Sequence, residues 1–401
     1  MVERSPIGHA TNQKRKTAKG MSDEANTTNI ESNEGELVVR PARAEDREAV
    51  FAFCARTWGD DGDYIPYVWD KWLADMNGDS ALHGVVLVAT LDGRPVGITH
   101  VRMLSDDEAW IEGVRVDPAE RRTGVGRALI GHALKAAQAF GATVARFFTD
   151  ETNVASQQLF ARFGFTRIAQ MLRYAAPALT FGNETAAQDG RTTKATAKES
   201  AENALAAAGL ADDPVGLQLT TLGEDAFERI WEWLTHSTLT PFNGGLEFIG
   251  WTARGLREPT LREYLAGGKV WLLEGWDTIL ALAIAEGQDD EEPDEDLVEE
   301  ESETEIPNKD EAYFSVAKPE ANGNSDDRAI PRGKALDVRY VDGSADGLSR
   351  LCLALREVAG QRGLARVRLW LPELLILADA MAGAGYERRG DEAMWVYQRA
   401  L

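Results

Sequence analysis

The stretch VRVDPAERRTGVGR, residues 114–127, decides the fold of this chain. Its alternating valines end a predicted strand, a short turn follows, and Gly124 and Gly126 open a predicted helix. Glycine lets the backbone approach a ligand closely, and the free N–H groups at a helix start attract anions. The same stretch carries three arginines, Arg121, Arg122 and Arg127. It therefore predicts a phosphate or pyrophosphate site, although a lone Gly-x-Gly also occurs in ordinary tight turns.

The segments around this stretch predict an α/β fold built on a mixed, α+β type of sheet. Over residues 36–178, hydrophobic periodicity and turn residues give the order β-α-α-β-β-β-α-β-α-β. Asp92-Gly93 marks a hairpin, Gly141 ends the helix of the glycine stretch, and Gly164 ends the next helix. These signals predict one complete domain over residues 36–178.

A second motif follows the predicted phosphate loop. Its residues are Asn153, Ser156, Leu159, Phe160 and the corner Gly164-Phe165. Together with Arg121-x-x-Gly124-x-Gly126, it resembles the two acyl-CoA motifs of the GNAT superfamily of N-acyltransferases, and the element order of residues 36–178 is similar too. The resemblance implies a catalytic GNAT N-acetyltransferase domain over these residues, with acetyl-CoA as the acyl donor and no metal.

The resemblance also implies roles for individual residues. The backbone of Val114 and Val116 would pair with the pantetheine arm, and Asn153 would hydrogen-bond that arm near the thioester. Phe160 would contact the same cofactor at a position where the family often has a tyrosine acid. Phenylalanine has no proton to give, so the leaving thiolate would need another source. The pyrophosphate would lie on the loop formed by Arg121, Arg122, Thr123, Gly124, Val125, Gly126 and Arg127.

Three side chains are candidates for acid–base catalysis. Glu112 is the candidate base, because the period-two rule puts it on the strand face of Val114 and Val116, beside the acyl group. A solvated strand carboxylate is the simpler alternative for Glu112. His100 is a second candidate base or an ordinary half-buried strand histidine. Tyr174, on the last predicted strand of this domain, is the candidate acid, although core packing explains it as well.

The segment Trp58–Trp72 occupies the region that shapes the acceptor site in the family that this chain resembles. It combines aromatic residues with Asp60, Asp61 and Asp63. A cationic amine would suit that mixture through charge and cation–π contacts. Aromatic side chains that pack a helix, next to a solvated acidic loop, would give the same composition.

The element pattern restarts over residues 214–401, after a predicted linker at 179–213. Within it, residues 286–328 carry 18 acids and three bases, a composition that predicts a disordered insertion. Without the insertion, residues 214–401 match residues 36–178 in length and element order, which indicates an internal duplication. The repeat lacks the glycine–arginine loop and has Asp346 where a pyrophosphate would be repelled. We therefore interpret residues 214–401 as a degenerate GNAT-like domain in tandem; residues 36–178 are called the first unit and residues 214–401 the second unit.

Composition limits the classes of protein that remain. The 401 residues carry a net charge of −23, which argues against a general nucleic-acid binder. Excess acid with 11 lysines against 32 arginines predicts a halophilic protein, adapted to a salty cytoplasm. No apolar run is long enough for a membrane span, and no signal peptide begins the chain, so we expect a cytoplasmic protein. Residues 1–35 read as a disordered tail, with either Met1 or Met21 as the start.

The sequence thus predicts an N-acetyltransferase that moves the acetyl group of acetyl-CoA to a primary amine of a small molecule or peptide by direct attack. Two alternatives stay open: a non-catalytic acyl-CoA-binding or sensor protein, and a protein or peptide N-acetyltransferase. The partners would be acetyl-CoA and an amine, without nucleic acid or membrane. The chain would be a monomer with pseudo-dimeric domains or a homodimer.

Overall fold

A computed structural model describes residues 36–57, 63–76, 83–179, 206, 216–276, 278–287 and 333–401. They all lie within one compact region, Glu36–Leu401, which contains both units. The predicted tail, nearly all of the predicted linker and most of the predicted insertion lie outside the described residues. So do Trp58, Asp60 and Asp61. No helix among the described residues has the length and hydropathy that a membrane span needs.

The first unit has the predicted order of helices and strands. Its hairpin turns at Asp92 and Gly93, which both have positive φ, and its main helix ends at Gly141 with φ +98°. The elements are β1 (Leu37–Pro41), α1 (Arg47–Cys54), α2 (Ile65–Met76), β2 (Gly84–Leu91), β3 (Arg94–Met103), β4 (Glu108–Val116), α3 (Val125–Ala139), β5 (Val144–Asp150), α4 (Val154–Ala161) and β6 (Thr166–Pro177).

The second unit repeats that order and adds a short helix and a hairpin between its first two long helices. The sequence did not predict these three elements or the second of the two helices. The added elements are only four residues long, too short to show a periodicity. The elements are β7 (Gln218–Leu222), α5 (Phe227–Thr235), α6 (Thr240–Asn243), β8 (Leu246–Ile249), β9 (Thr252–Gly255), α7 (Glu258–Ala266), β10 (Val270–Gly275), β11 (Thr278–Gly287), β12 (Ala335–Gly343), α8 (Ala345–Gln361), β13 (Arg366–Pro372), α9 (Leu375–Gly383) and β14 (Glu387–Ala400).

One boundary of the predicted insertion is wrong. Glu286 and Gly287 were predicted to belong to the disordered segment, but they form the end of β11 and pair with β12. Glu286 is held there because its carboxylate forms ion pairs with Lys269 and Arg339. Local charge counting missed these two cationic partners, because Lys269 directly precedes β10 and Arg339 lies on β12.

Twelve strands form one sheet, in the order β1-β2-β3-β4-β5-β14-β6-β13-β12-β11-β10-β7. The two units exchange their last strands. β14 of the second unit pairs with β5, and β6 of the first unit pairs with β13. Each unit therefore completes its sheet with a strand from the other, and helices of both units pack on the continuous sheet.

Candidate active site

The two central strands of the first unit part from each other. β4 and β5 are paired in parallel at only three positions, from Glu108 with Val144 to Trp110 with Arg146. From Ile111 onward, β4 has β3 as its one strand neighbour among the described residues. An open strand edge presents N–H and C=O groups that an extended ligand can pair with. Val114 and Val116, predicted to bind the donor, lie on this open stretch of β4.

A bulge interrupts β4 at Gly113. Its neighbour β3 pairs His100 with Glu112 but Ile98 with Arg115, so β4 has one extra residue between these two pairs. Gly113 has φ +65°, a conformation that favours glycine, and a Cβ there would clash with a tryptophan ring of α2. Both the backbone conformation and the close ring therefore require glycine at this position.

The bulge corrects the predicted orientation of Glu112. We expected Glu112, Val114 and Val116 to share one strand face. Val114 and Val116 instead pack toward the core beneath α3, whereas Glu112 lies on the opposite face, where its carboxylate meets His100. One inserted residue reverses the alternation of side chains, so the period-two rule fails beyond Gly113.

Glu112 is an ionised carboxylate, and two of its polar neighbours are His100 and Arg102. Its side chain is 18% exposed, and its Oε1 lies 2.8 Å from Nδ1 of His100 and 3.3 Å from Nε of Arg102. Burial alone would raise the Glu112 pKa, but Arg102 and the His100 hydrogen bond outweigh it and hold that pKa below its usual 4.5. Glu112 therefore carries a negative charge at neutral pH beside the open edge of β4.

His100 orients Glu112 and is too enclosed to act as the base itself. Its ring is fully buried and stacks on Trp72 with centroids 4.4 Å apart. Since Glu112 is ionised and can only accept, the hydrogen bond assigns a proton to Nδ1 of His100, and Nε2 has no partner among the described residues. An acceptor amine outside the core has no route to this ring, which makes the structural alternative for His100 the better one.

The loop after β4 has the conformation of an anion-binding turn. Arg122 has φ +73° and Gly124 has φ +99°, and Gly124 is the N-cap of α3. No side chain caps that end of the helix, so its first N–H groups point outward. Arg121, Arg122 and Arg127 are exposed around it, and Arg121 also donates to the Thr57 carbonyl at 3.3 Å. The geometry suits a pyrophosphate.

Asp117 supports this loop, and the sequence analysis missed it. Its carboxylate accepts from Ala119 N–H at 3.1 Å and forms ion pairs with Arg56 and Arg94. Burial alone would raise the Asp117 pKa, but these three partners hold it below its usual value. An aspartate directly before Pro118 is a turn signal, and it was the available clue.

A surface groove of about 370 Å³ continues from the loop along α3. It begins at Gly124 and extends past Gly131 to Lys135, which is two to three turns of helix. Gly131 leaves room in the groove, and Arg127 and Lys135 place positive charge along it. Its lining residues are Gly124, Arg127, Ala128, Gly131, His132, Lys135 and Phe163.

The α4 motif residues have structural partners of their own. Asn153 is the N-cap of α4, where its Oδ1 accepts from Ser156 N–H at 3.1 Å. The Nδ2 group of Asn153 has no acceptor among the described residues. Phe160 is only 2% exposed and stacks on Phe147 at 3.5 Å, with Phe165 at its edge. Phe160 therefore packs in the core and has almost no surface that the predicted acyl donor could contact. The Nδ2 group of Asn153, in contrast, is available to donate a hydrogen bond.

Tyr174 is not at the site, which corrects its predicted role. Its side chain is buried in the core beneath α8 and α9, together with residues such as Leu369 and Tyr386. Its strand, β6, is separated from β4 by β5 and β14, at least about 14 Å at ordinary strand spacing. Because the units exchange strands, Tyr174 packs in the core of the second unit. It therefore does not supply the proton that the leaving thiolate needs near Glu112.

The acidic and aromatic residues before α2 turn inward. Asp63 and Arg115 form a buried bidentate ion pair, with Nε–Oδ2 at 2.7 Å and Nη2–Oδ1 at 3.2 Å. Trp69 and Trp72 are buried in the core between α1, α2 and the sheet. Arg115 compensates the charge of Asp63. Asp63 therefore does not attract a cationic amine, which is contrary to the prediction. Packing is the role of Asp63, Trp69 and Trp72, which are buried members of this segment.

Asp63→Asn is expected to lower the free energy of unfolding by about 3 kcal/mol, because the buried Arg115 would lose the carboxylate charge of its bidentate partner. The matched control is Asp70→Asn in α2, which removes the exposed pair with Arg47 and should cost at most about 0.5 kcal/mol. Urea unfolding of the three proteins measures both values. Equal effects of the two substitutions would contradict a structural role for the Asp63–Arg115 pair.

The corresponding region of the second unit is closed. The start of α8 lies against β11, where Ser344 N–H donates to the Leu280 carbonyl at 3.0 Å. The Ser344 hydroxyl caps the helix by accepting from Gly347 N–H at 3.0 Å, and a Cβ at Gly347 would clash with the same carbonyl. Asp346 is exposed and pairs with Arg350. This helix start therefore differs from the one at Gly124, because it has a side-chain cap, a close contact with β11 and an acidic residue in its first turn.

No group of three or more His, Cys, Asp or Glu side chains that could hold a metal ion occurs in the part of the chain that the structure describes. Cys54 and Cys352 are buried free thiols.

Comparison with known proteins identifies the family. The model described as Acetyltransferase (GNAT) family matches residues 46–165. The L-2,4-diaminobutyric acid acetyltransferase of Nocardia farcinica is 30% identical over 145 residues, 34% of this chain and 75% of that protein. The chain belongs to the GNAT acetyltransferase family. It is accordingly an acyltransferase, and this family uses acetyl-CoA.

Two solved structures match part of this chain. The ribosomal-protein-S18-alanine N-acetyltransferase of Escherichia coli is 19% identical, with 34% of this chain and 82% of that chain covered at a TM-score of 0.30. The PaiA N-acetyltransferase of Thermoplasma acidophilum, solved in complex with coenzyme A, is 17% identical, with coverages of 33% and 91% and a TM-score of 0.27.

Proposed function

We propose that this chain is an N-acetyltransferase that transfers the acetyl group of acetyl-CoA to a primary amine of a small molecule, with its catalytic site in the first unit. The observation that carries the proposal is the open edge of β4, which runs from Glu112 to the anion-binding loop at Gly124. The similar diaminobutyric acid acetyltransferase, whose name gives a small amino acid, favours a small acceptor.

The donor would lie along three connected features. The pantetheine arm would extend along the edge at Val114 and Val116 as an added strand, with Asn153 Nδ2 as a further donor. The pyrophosphate would accept N–H groups from the loop at Gly124. The 3′-phosphorylated adenosine would follow the groove toward Lys135, where positive charge and the small Gly131 suit it.

The chemistry follows from the position of Glu112. When bound, acetyl-CoA supplies an activated acyl carbon. The carboxylate of Glu112 accepts a proton from the acceptor ammonium, directly or through one water. The neutral amine nitrogen then bonds to the acyl carbon and the carbon–sulfur bond breaks. The products are the amide and the free thiol, and the sulfur takes its proton from the attacking nitrogen or from water, because Phe160 has none to give.

The second unit would be a degenerate GNAT-like domain without a donor site of its own. The start of α8 supports this, since it lies against the Leu280 carbonyl, is capped by Ser344 and has Asp346 where the first unit has arginines. The exchanged strands would give one chain the paired sheet of a dimer. The cytoplasmic location and the halophilic character remain proposals from composition.

The experiment that tests the proposed function measures thiol release from acetyl-CoA with a panel of primary amines. Amine-dependent thiol release, with an acetylated amine detected by mass spectrometry, is the expected result. A protein that binds acetyl-CoA but releases no thiol with any small amine or peptide would instead be an acyl-CoA-binding or sensor protein.

Lys135→Ala is expected to raise KM for acetyl-CoA about fivefold, because an exposed charge pair with the 3′-phosphate contributes up to about 1 kcal/mol. The same change should leave KM for acetyl-dephospho-CoA, which lacks that phosphate, almost unaltered. Lys71→Ala on α2 is the control, an exposed lysine away from the groove. An equal effect of Lys135→Ala on both donors would contradict the placement of the adenosine end.

A further inference from the structure

Besides the exchanged strands, a hairpin of the second unit, β8 and β9, contacts the first unit. At the base of this hairpin, Gly255 N–H donates to the Glu108 carboxylate at 2.9 Å, and Arg254 donates to the Leu104 carbonyl at 2.9 Å. Arg257 forms ion pairs with Asp107 and Glu108. Glu108 begins β4, so the base of the hairpin is fixed where β4 and β5 are still paired.

The turn of the hairpin, Gly250-Trp251, lies further along β5. The ring of Trp251 contacts that of Phe148 on β5 at a centroid distance of 5.7 Å. On its other sides, Trp251 meets the Trp370 ring at 5.2 Å and the Arg173 guanidinium at 4.8 Å. Trp370 also donates to the Gly250 carbonyl at 3.1 Å. Trp251 therefore packs against Trp370 of the second unit and against Arg173 and Phe148 of the first unit.

Phe148 stands across the opening from Glu112. Glu108 is paired with Val144, so four residues further along each strand Glu112 and Phe148 are level with each other. Both side chains lie on the same face of the sheet. Trp110 precedes Glu112 by two residues without an intervening bulge, and its ring packs edge-on against Phe148 at 5.3 Å. Phe148 and Trp251 are both half-buried, which leaves part of each ring open.

The acceptor face of the opening is rich in aromatic rings. Two of its carboxylates, Glu112 and Asp63, are each paired with an arginine. An ammonium group that approaches Glu112 would thus be attracted mainly by ring faces, which bind cations at short range. Rings that are fixed by packing also limit how long an acceptor can be.

We propose that Trp251 of the second unit, together with Phe148, forms a wall of the acceptor pocket and restricts it to small primary amines. This inference rests on the proposed function and names its substrate class. The degenerate unit then has a direct part in the reaction, since it supplies the residue that selects the acceptor. A peptide amine would require the space that the Trp251 ring occupies.

The test measures kcat/KM for propylamine, hexylamine and a trialanine amide at saturating acetyl-CoA, in wild type and in Trp251→Ala. We expect the ratio of trialanine amide to propylamine to rise at least tenfold, with the Kd for acetyl-CoA unchanged. Trp251→Phe should give an intermediate ratio. It keeps a ring in place, and no hydrogen bond of Trp251 Nε1 is lost, since that atom has no partner among the described residues.

Trp276→Ala is the matched control, a 74% exposed tryptophan in the β10–β11 turn of the same unit, and it should leave the ratio unchanged. If wild type is active but neither Trp251 variant changes the ratio, or if all three acceptors lose activity equally, the wall is overturned and the proposed function stands. If Trp251→Ala does not fold, the ratio in Trp251→Phe decides. If wild type releases no thiol with any amine, the proposed function is wrong, and so is the proposed role of Trp251.

Discussion

Gly124→Ala is expected to weaken acetyl-CoA binding at least tenfold. Gly124 has φ +99° at the start of α3, and an L-residue there costs about 1–2 kcal/mol of backbone strain. Relief of that strain moves the N–H groups that would hold the pyrophosphate. A Cβ at this position meets no protein atom within 4 Å, so its only close neighbour would be the bound donor.

The matched control for Gly124→Ala is Gly141→Ala at the other end of the same helix. Gly141 has φ +98°, and a Cβ there would meet only the Asp106 carbonyl at 3.6 Å, an ordinary contact. Both variants should lose similar stability in thermal unfolding, because the strain is the same. Isothermal titration should show weak donor binding for Gly124→Ala alone. Equal affinities in the two variants would refute the assignment of the loop.

Glu112→Gln is expected to lower kcat about 100-fold, which is the lower range for loss of a positioned general base. The Kd for acetyl-CoA should not change, because the loop at Gly124 and the edge of β4 remain intact. Glu48→Gln, on the exposed side of α1, is the control and should leave kcat unaltered. Stopped-flow or steady-state thiol release measures kcat, and an unchanged kcat in Glu112→Gln would assign this residue to structure alone.

The low pKa of Glu112 makes a further prediction about pH. Because the pKa of this carboxyl is below its usual 4.5 in the folded protein, Glu112 stays ionised above about pH 6. Any rise of kcat/KM at higher pH then reports a group other than Glu112, such as the acceptor amine, so wild type and Glu112→Gln should have parallel profiles. The same lowered pKa stabilises the fold above about pH 4.5, and that contribution is lost as pH falls through the folded pKa.

The features that the sequence predicted correctly are local ones. The element order of the first unit follows from periodicity and from turn residues such as Asp92-Gly93 and Gly141. The loop at Gly124 follows from glycines and arginines within seven residues. Each of these signals acts within one or two turns of chain, so no knowledge of distant contacts is needed.

The features that were missed depend on distant contacts. The bulge at Gly113 is selected by a ring of α2, more than 30 residues earlier in the chain, and no local pattern separates it from an ordinary strand glycine. The corners Gly164-Phe165 and Gly385-Tyr386 look alike, so the residues near them do not reveal that their strands exchange partners. Tyr174 was misassigned for that reason.

Strand exchange also sets the time at which this protein can become complete during its synthesis. β5 of the first unit needs β14 as its neighbour, and the contact between Arg146 and Gln398 spans 252 residues. A ribosome that has just made the whole glycine–arginine loop must therefore add the entire second unit before the sheet beside that loop can close. Until then the nascent first unit has an exposed strand edge, which is an aggregation hazard. Closure of the sheet beside this loop thus depends on β14, a strand that is translated long after the loop itself.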